Sequence, residues 1–229
     1  SAALNQPFFT LIGAGRPFVI LKAAISQDLC IAEAPGLRTQ LTSGEADRHV
    51  QRMRAEVDAI GVGVNTVVVD DPLLTSREVY RERPLLRVVF DRRLRMPTGA
   101  RLLSTPESGP VMIVTTAEGA SRAQARSRLE ALGARVEVAE DRSFAAALAV
   151  LGRRRIGSLL LEGGAAVHRA AWDEGVADFV SVYQTPHVLG AKGVRFLGGA
   201  PFSPHALVEA HTAPLGPDVL IEGYVHGPR

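Results

Sequence analysis

The chain has 229 residues, 46% of them hydrophobic, which is enough to bury one large core and favours one domain over two small ones. Its arginines are scattered among acids and its net charge is only +2, which argues against a nucleic-acid binder, and the lone Cys30 excludes a disulfide framework and a zinc site built from cysteines. The sequence has no apolar run of 18 residues and no export signal, so we expect a cytoplasmic protein that does not enter a membrane.

Strand and helix signals alternate through the whole chain. Apolar, β-branched runs predict strands, and apolar residues at helical spacing after a capping residue predict helices. Their order indicates an α/β fold: an open mixed sheet, mostly parallel, with an antiparallel edge and flanking helices. The predicted elements are strand 18–25, a helix opened by the capping box 42–45 and running to about 57, strands 59–64, 85–90 and 111–115, helix 121–132, strand 135–138, helix 144–152, strand 156–161, a helix holding Val167 and Trp172, and strands 179–183, 207–210 and 219–225.

One polar stretch in the first third of the chain combines β-branched residues, two carboxylates, a proline and an arginine. Residues 67–69 have strand character, and Asp70 and Asp71 then place two acceptors where the chain turns. Pro72 prevents a helix from starting there, and Arg77 offers a planar fork suited to an anion such as phosphate. The alternative is an ordinary strand end followed by an Asp-Pro turn.

A glycine pair follows the predicted strand 156–161. Gly163 and Gly164 let backbone amides approach a ligand closely, and the start of the next helix favours an anion such as a pyrophosphate. Glu162 stands at the carboxyl end of the strand, where open α/β sheets bind ligands. The alternative is a tight turn in which Glu162 only hydrogen-bonds to the backbone.

A lysine interrupts the first predicted strand. The charge of Lys22 must either reach solvent at a sheet edge or meet an anionic partner. Ser26 and Asp28 lie in the loop that follows.

A colinear set of motifs runs along the chain. Its members are Arg16-Pro17-Phe18-Val19, Leu21-Lys22, Ser26-Gln27-Asp28, Leu41-Thr42-Ser43, Arg52-Met53-Arg54-Ala55, residues 65–77, Phe90-Asp91, Leu161-Glu162-Gly163-Gly164, Gly175-Val176-Ala177-Asp178 and Pro186-His187-Val188-Leu189-Gly190. Together they resemble the reductase domain that forms the C-terminal half of the bifunctional riboflavin-biosynthesis deaminase-reductase, a domain similar in fold to dihydrofolate reductase. By this resemblance, residues 1–15 are a connector and residues 16–229 a single reductase domain, while the zinc signature of the deaminase is absent.

The resemblance implies a reaction and a set of site residues. NADPH would reduce 5-amino-6-(5-phosphoribosylamino)uracil at C1 of its ribosylamino side chain, through the ring-opened imine, to the ribitylamino compound. It also implies a homodimer and a deaminase that is either fused to this chain or separate. Substrate-binding positions carry over to Lys22, Arg54, Asn65, Leu74, Arg77 and Glu162. NADPH-binding positions carry over to Ala24, Thr66, Asp70, Gly163, Gly164, Ala165, Ala166, Val167 and the rest of the segment 164–170.

In the proposed reaction the protein mainly positions the reactants and supplies charged groups, because the cofactor supplies the hydride. An imine that accepts a hydride also needs a proton on its nitrogen. Lys22, Glu162 or a water held by Asp28 are the candidate catalytic groups, and the sequence leaves the choice among them open. We expect Lys22 and Glu162 to orient the ribityl chain, and we expect no metal.

The chain departs from the family pattern at three positions near the expected cofactor. Leu29 stands where glycine usually follows Asp28, Gln40 where tryptophan is usual, and Arg92 where serine is usual. Leu29 indicates a stiffer loop, and Arg92 is suited either to a 2′-phosphate or to solvent. Two alternatives therefore stay open: a diverged dihydrofolate-type or other pyrimidine or pterin reductase, and a non-catalytic NADPH-binding dimerisation module for a separate deaminase.

Overall fold

The computed structural model describes residues 2–77 and 81–227, which form eleven strands and seven α-helices. The strands are β1 (Phe18–Ile25), β2 (Cys30–Ala32), β3 (Ala59–Gly63), β4 (Leu86–Phe90), β5 (Val111–Thr115), β6 (Arg135–Val138), β7 (Ser158–Gly163), β8 (Phe179–Gln184), β9 (Val194–Arg195), β10 (Val208–Leu215) and β11 (Asp218–Tyr224). The helices are α1 (Ala2–Ala14), α2 (Gly44–Glu56), α3 (Val64–Asp70), α4 (Ala117–Ala120), α5 (Ala123–Ala131), α6 (Phe144–Arg153) and α7 (Ala165–Asp173). Short 3₁₀ helices span Arg101–Ser104, Pro106–Ser108, Phe196–Gly199 and Pro204–Ala206.

Nine strands form one sheet in the order β10-β11-β8-β1-β7-β3-β4-β5-β6. All neighbours from β8 to β6 are parallel, whereas β11 pairs antiparallel with both β8 and β10. β2 and β9 form a separate antiparallel pair. The predicted mostly parallel sheet with an antiparallel edge is therefore confirmed.

The sheet divides the hydrophobic core into two layers. Every residue of β3, β4 and β5 is buried, as expected for parallel strands covered on both faces. Along β7 the side chains alternate, so that Leu159 and Leu161 join one layer and Leu160 joins the other. This packing leaves the carboxyl ends of the central strands as the edge where polar residues gather.

The helix α2 begins one residue later than the predicted capping box indicates. Ser43 is its N-cap, because the Ser43 hydroxyl accepts a hydrogen bond from the Ala46 N–H at 3.3 Å. The Thr42 hydroxyl instead donates to the Asp47 carboxylate at 2.6 Å. The capping signal therefore identified the helix correctly but not its first residue.

The strand character predicted for residues 67–69 is wrong, because they lie in the helix α3. Helical spacing buries Val64 and Val67 against the core and leaves Val68 58% exposed, a pattern that a strand could not produce. Asp71 ends the helix in the left-handed region, with φ of 42° and its N–H bonded to the Val67 carbonyl at 3.1 Å. Tertiary packing here overrides the β propensity of valine, and Pro72 follows a helix instead of preventing one.

The N-terminal residues predicted as a connector form the helix α1, which ends close to the predicted boundary at residue 15. Arg16 then makes a buried two-point ion pair with Asp178, at 2.6 and 2.9 Å, which fixes the start of β1. The division into a connector and a single reductase domain stays a prediction. Within the described residues, no helix is long and apolar enough to span a membrane.

Candidate active site

The strand order reverses around β7. From β3 the chain continues through β4, β5 and β6 to one edge, whereas from β7 it crosses β1 to form β8 on the other side. Open α/β sheets bind ligands at the carboxyl ends of the strands around such a reversal. A cleft with a volume of about 1040 Å³ opens at this place.

The cleft brings together all of the predicted site residues except two. Those that line it are Lys22, Ala24, Arg54, Asn65, Thr66, Asp70, Leu74, Arg77, Glu162, Gly163, Gly164, Ala165, Ala166, Val167, His168 and Ala170. The exceptions are Asp28 and, within the predicted segment 164–170, Arg169, which lie outside the lining. Side chains from β1, α2, α3 and β7 therefore meet in one space, although they come from distant parts of the sequence.

A β-bulge directs Glu162 into the cleft. Gly61 of β3 is in register with Leu161, and the next pair joins Val62 to Gly163, so Glu162 is the extra residue on β7. Bulges of this kind change the direction of a side chain and often occur beside active sites.

Glu162 forms a buried ion pair with Arg54 of α2. The Arg54 Nε and Nη2 atoms lie 2.6 and 2.7 Å from the two carboxylate oxygens, and Nη1 donates to the Thr75 carbonyl at 2.8 Å. Burial by itself raises the pKa of Glu162, but the Arg54 guanidinium, helped by Lys22, holds that pKa below its usual value. Glu162 is therefore ionised, and Arg54 has already engaged much of the guanidinium fork that would otherwise suit a substrate phosphate.

Lys22 faces the same space, and its ammonium group lies over the ring of Tyr183. The Nζ atom lies 5.5 Å from the centroid of the Tyr183 ring, and it makes no hydrogen bond or ion pair with any residue that the structure describes. Burial lowers the pKa of Lys22, Glu162 acts in the opposite direction, and Arg54 lowers it further. Lys22 therefore loses its proton more readily than an exposed lysine, and it faces the cleft.

Asp28 does not meet the other candidate catalytic residues. Its carboxylate accepts hydrogen bonds from the Ser26 hydroxyl at 2.6 Å and from the N–H groups of Leu189 and Gly190 at 3.0 and 2.7 Å. These bonds, that of Ser26 first, lower the pKa of Asp28 to about 2. Asp28 therefore acts as an ionised tether between two loops, and it has no proton to give near neutral pH. Leu29 beside it adopts φ of 59°, a left-handed conformation that suits the glycine usual in the family.

The loop after α3 forms one wall of the cleft, and backbone contacts fix it. Its carbonyl groups at Leu73 and Thr75 accept hydrogen bonds from Arg87 and Arg54, and the Asp71 carboxylate accepts from the Arg101 N–H at 2.8 Å. Leu74 is 3% exposed and has φ of 53°, so the wall contains a strained, buried leucine.

The polar residues along this wall differ in what they contact. The Asn65 side-chain oxygen accepts a hydrogen bond from Arg95 at 3.2 Å, and burial raises the pKa of Asp70 while Arg38 opposes that rise. Arg77 is exposed, and within residues 2–77 and 81–227 only its backbone N–H is held, by the Gln51 side chain at 2.8 Å. The Arg77 guanidinium is therefore available to an anionic ligand.

The glycine pair leaves a shallow cradle opposite Thr66. A Cβ atom built on Gly163 or Gly164 would lie 3.2 or 3.3 Å from the Thr66 hydroxyl oxygen, which is closer than ordinary packing allows. Gly164 also has φ of 91°, which side chains rarely adopt. The helix α7 begins immediately after it, and the N–H groups of Ala165 and Ala166 precede the first bonds within the helix. A cofactor pyrophosphate fits these features, because unpaired N–H groups and the helix dipole favour an anion.

Comparison with known proteins identifies the family. The chain matches the RibD C-terminal domain over residues 17–221. It belongs to this family.

Two kinds of relative are similar to this chain in sequence. The riboflavin biosynthesis protein RibD of Actinobacillus pleuropneumoniae is 34% identical over 197 residues, which cover 84% of this chain and 51% of the relative. A 2,5-diamino-6-ribosylamino-4(3H)-pyrimidinone 5′-phosphate reductase of Methanothermobacter thermautotrophicus is 35% identical over 186 residues, covering 80% of this chain and 83% of the relative. The chain thus spans about half the length of its first curated RibD relatives.

Solved structures confirm the dihydrofolate-reductase-like fold class. RibD of Acinetobacter baumannii superposes with a TM-score of 0.80 at 28% identity, covering 97% of this chain and 62% of the other. The riboflavin biosynthesis reductase Rib7 of Saccharomyces cerevisiae has a TM-score of 0.72 at 19% identity and covers 96% of this chain and 98% of the other, which supports the fold alone.

Sequence reasoning missed a second group of cleft residues in this member of the RibD family. They lie on loops after β2, β4 and β5, on the helix α2 and just before the helix α6, and they include Arg38, Asp47, Arg93, Thr116, Arg142 and Ser143. No local motif marks them, because the strand order alone brings these segments to one edge of the sheet. Among the described residues, no group of three His, Cys, Asp or Glu side chains is arranged to hold a metal ion.

Proposed function

We propose that this chain is an NADPH-dependent reductase that converts 5-amino-6-(5-phosphoribosylamino)uracil to its ribitylamino product. The observation that carries the proposal is the meeting of two unlike sites in one cleft. The glycine cradle at Gly163 and Gly164 suits a dinucleotide, and beside it lie the charged groups of Lys22, Arg54 and Glu162. Membership of the RibD C-terminal domain family, and the reductase named among the relatives, support it.

On the cofactor side, the chain offers small residues and positive charge. Thr66, Ala165 and Ala166 flank the cradle, and the cofactor, when bound, supplies a hydride. NADPH rather than NADH is proposed because of Arg92, which lines the cleft and is exposed, with no partner for its guanidinium among the described residues. An arginine there suits a 2′-phosphate.

On the substrate side, Lys22 is the proposed acid. Reduction of an imine adds a hydride to carbon and a proton to nitrogen, and a proton donor works best when its pKa lies near the working pH. Burial moves the pKa of Lys22 in that direction, whereas Glu162 is held ionised by Arg54 and Asp28 lies outside the cleft. Glu162 then acts as a fixed acceptor that orients substrate hydroxyl groups.

The substrate phosphate is assigned to Arg77. Its guanidinium has no partner in the part of the chain that the structure describes, whereas Arg54 already donates three hydrogen bonds to Glu162 and Thr75. Arg54 retains two N–H groups, enough for a supporting contact with the substrate but not for a free fork.

The proposal includes a homodimer in the cytoplasm and a deaminase that is fused or separate. Support for the dimer comes from β10, which lies at the edge of the sheet and is mostly exposed, since such an edge can pair with another chain. Light scattering of the purified chain measures its mass, and a monomer at micromolar concentration would contradict this part.

Loss of NADPH absorbance by the purified chain tests the reaction. We expect oxidation with 5-amino-6-(5-phosphoribosylamino)uracil, and comparison with the 2,5-diaminopyrimidinone analogue distinguishes the substrate named for the Methanothermobacter relative. Oxidation with dihydrofolate alone would favour a diverged dihydrofolate-type reductase. Tight NADPH binding without oxidation of any substrate would favour the non-catalytic dimerisation module.

A further inference from the structure

A buried histidine lies beside the proposed active site but takes no part in the chemistry proposed above. His168 is on α7, is 2% exposed, and packs edge-to-face on Phe196 with ring centroids 6.1 Å apart. Its Nε2 atom lies 3.2 Å from the Leu161 carbonyl oxygen, while Nδ1 has no hydrogen-bond partner among the described residues.

The contacts of His168 define its protonation state. A carbonyl oxygen only accepts hydrogen bonds, so Nε2 carries the hydrogen and Nδ1 does not. Burial lowers the pKa of His168 to about 4, against the opposing effect of the bond to Leu161. His168 is therefore neutral near pH 7 and is unsuited to donate a proton to the substrate.

The carbonyl that His168 holds belongs to the bulge that directs Glu162. Leu161 is the last residue of β7 in register with β3 before the extra residue, and its carbonyl carbon is bonded directly to the Glu162 nitrogen. The plane of that peptide group decides the direction in which the Glu162 side chain leaves the strand. Arg54 then needs both carboxylate oxygens in place, at 2.6 and 2.7 Å.

We propose that His168 is a positioning residue: its Nε2–H holds the Leu161 carbonyl at the bulge and so fixes Glu162 against Arg54. The same contact ties the helix that follows the glycine cradle to the carboxylate on the substrate side. A role for this geometry in turnover rests on the reductase function proposed above, whereas the geometry itself does not.

A pair of amide variants tests the contact. The Gln side chain in His168→Gln reaches about as far as the histidine Nε2 and keeps a donor for Leu161, whereas the shorter His168→Asn does not reach it. We expect kcat to fall on the order of tenfold in His168→Asn, to recover most of that loss in His168→Gln, and KM for NADPH to change less than threefold in both. Equal loss in the two variants would overturn the proposal.

A double variant tests whether His168 acts through Glu162. If it does, His168→Asn should lower kcat no further in a Glu162→Gln background, because the carboxylate that it positions is already absent. A full tenfold loss in that background would show a role that does not involve Glu162.

Carboxyl ¹³C NMR gives a readout that does not need turnover. In His168→Asn the Glu162 carboxylate should leave Arg54 and its pKa should rise, while His168→Gln should leave that pKa unchanged. Ring ¹⁵N shifts of the unaltered protein should show the Nε2–H tautomer at pH 7. An Nδ1–H tautomer, or an unmoved Glu162 pKa, would overturn the proposal even if the wild-type chain proved inactive, whereas inactivity with the expected spectra would contradict only the proposed function.

Discussion

Arg54 and Glu162 form a two-point ion pair across 108 positions of the sequence, with nitrogen–oxygen distances of 2.6 and 2.7 Å. The pair joins the helix α2 to the bulge of β7, and the two side chains are only 16% and 8% exposed. A buried pair of this kind costs solvation energy to form, so its main contribution is to fix the positions of the two side chains. Removing one partner leaves a buried charge without compensation.

Loss of Arg54 should therefore destabilise the fold strongly. We expect Arg54→Gln to lower the free energy of unfolding by about 3–5 kcal/mol, measured by urea denaturation. Arg126→Gln is the matched control, because Arg126 pairs with Glu130 at 2.8 Å on the surface, and its loss should cost less than about 1 kcal/mol. The double variant Arg54→Gln/Glu162→Gln should regain part of the stability. Similar costs for the two single arginine variants would contradict this interpretation.

The activity should depend on pH through Lys22. An acid works only in its protonated form, so turnover should fall as pH rises through the pKa of Lys22, which burial lowers from 10.5. Lys22→Met should reduce kcat by about 10²–10⁴-fold and remove that alkaline fall. Lys22→Arg separates charge from proton transfer, because it restores the cation but not a group that releases a proton.

The exposed Lys192 provides the control for this experiment, since Lys192→Met alters the other lysine of the chain without touching the cleft. Its pH profile should match that of the unaltered protein. Full turnover by Lys22→Met would exclude Lys22 as the acid.

The tether formed by Asp28 should affect stability rather than catalysis. Its folded-state pKa of about 2 lies below the model-peptide value of 3.8, so the stabilisation it provides is present above about pH 4 and is lost as pH falls toward 2. Asp28→Asn should lower Tm at pH 7, and the difference from the unaltered protein should shrink below pH 4. Its kcat at 25 °C should stay within about threefold, since Asp28 lies outside the cleft. Loss of kcat without a change in Tm would show that Asp28 takes part in catalysis.

Local signals predicted the sheet better than the contacts of the site. The strands β1, β5 and β6 match their predicted ranges. For β5 the reason is that an apolar run buried on both faces leaves little choice of structure. The strand prediction for the valines at 67–69 was wrong. β-branched residues usually indicate a strand, but packing after Gly63 selects a helix here.

The partners of the site residues depend on contacts that no local pattern records. The sequence named Arg54 and Glu162 but not their ion pair. The pair depends on tertiary packing, because α2 packs through Ala46 and Val50 on β8 and β11, and this brings Arg54 to Glu162. Likewise, the N–H groups that bind Asp28 come from Leu189 and Gly190, more than 160 positions away. These two bonds give the Asp28 carboxylate a structural contact that its sequence neighbours do not indicate.

The glycine cradle can be tested by adding one methyl group. Gly164→Ala should weaken NADPH binding at least tenfold, because the new Cβ would lie 3.3 Å from the Thr66 hydroxyl oxygen and would fill the space opposite the start of α7. Gly133→Ala is a control for backbone strain, since Gly133 has a similar φ of 86° but open space around its Cβ position. Both variants should lose about 1–2 kcal/mol of stability, and only Gly164→Ala should change the Kd for NADPH measured by fluorescence titration. Equal Kd values would exclude the cradle as a binding element.

Arg92 offers a test of cofactor preference. NADPH differs from NADH by its 2′-phosphate, and a charge-assisted bond from a guanidinium to that group is worth about 1.5–3 kcal/mol, or roughly ten- to a hundredfold in Kd. Arg92→Ser should therefore weaken NADPH binding by that factor and leave NADH binding unchanged. Arg128→Ser, which removes an exposed arginine outside the cleft, should change neither. If Arg92→Ser weakened both cofactors equally, the arginine would contact a part that they share, and the preference for NADPH would have to come from another cation of the cleft, such as Arg93.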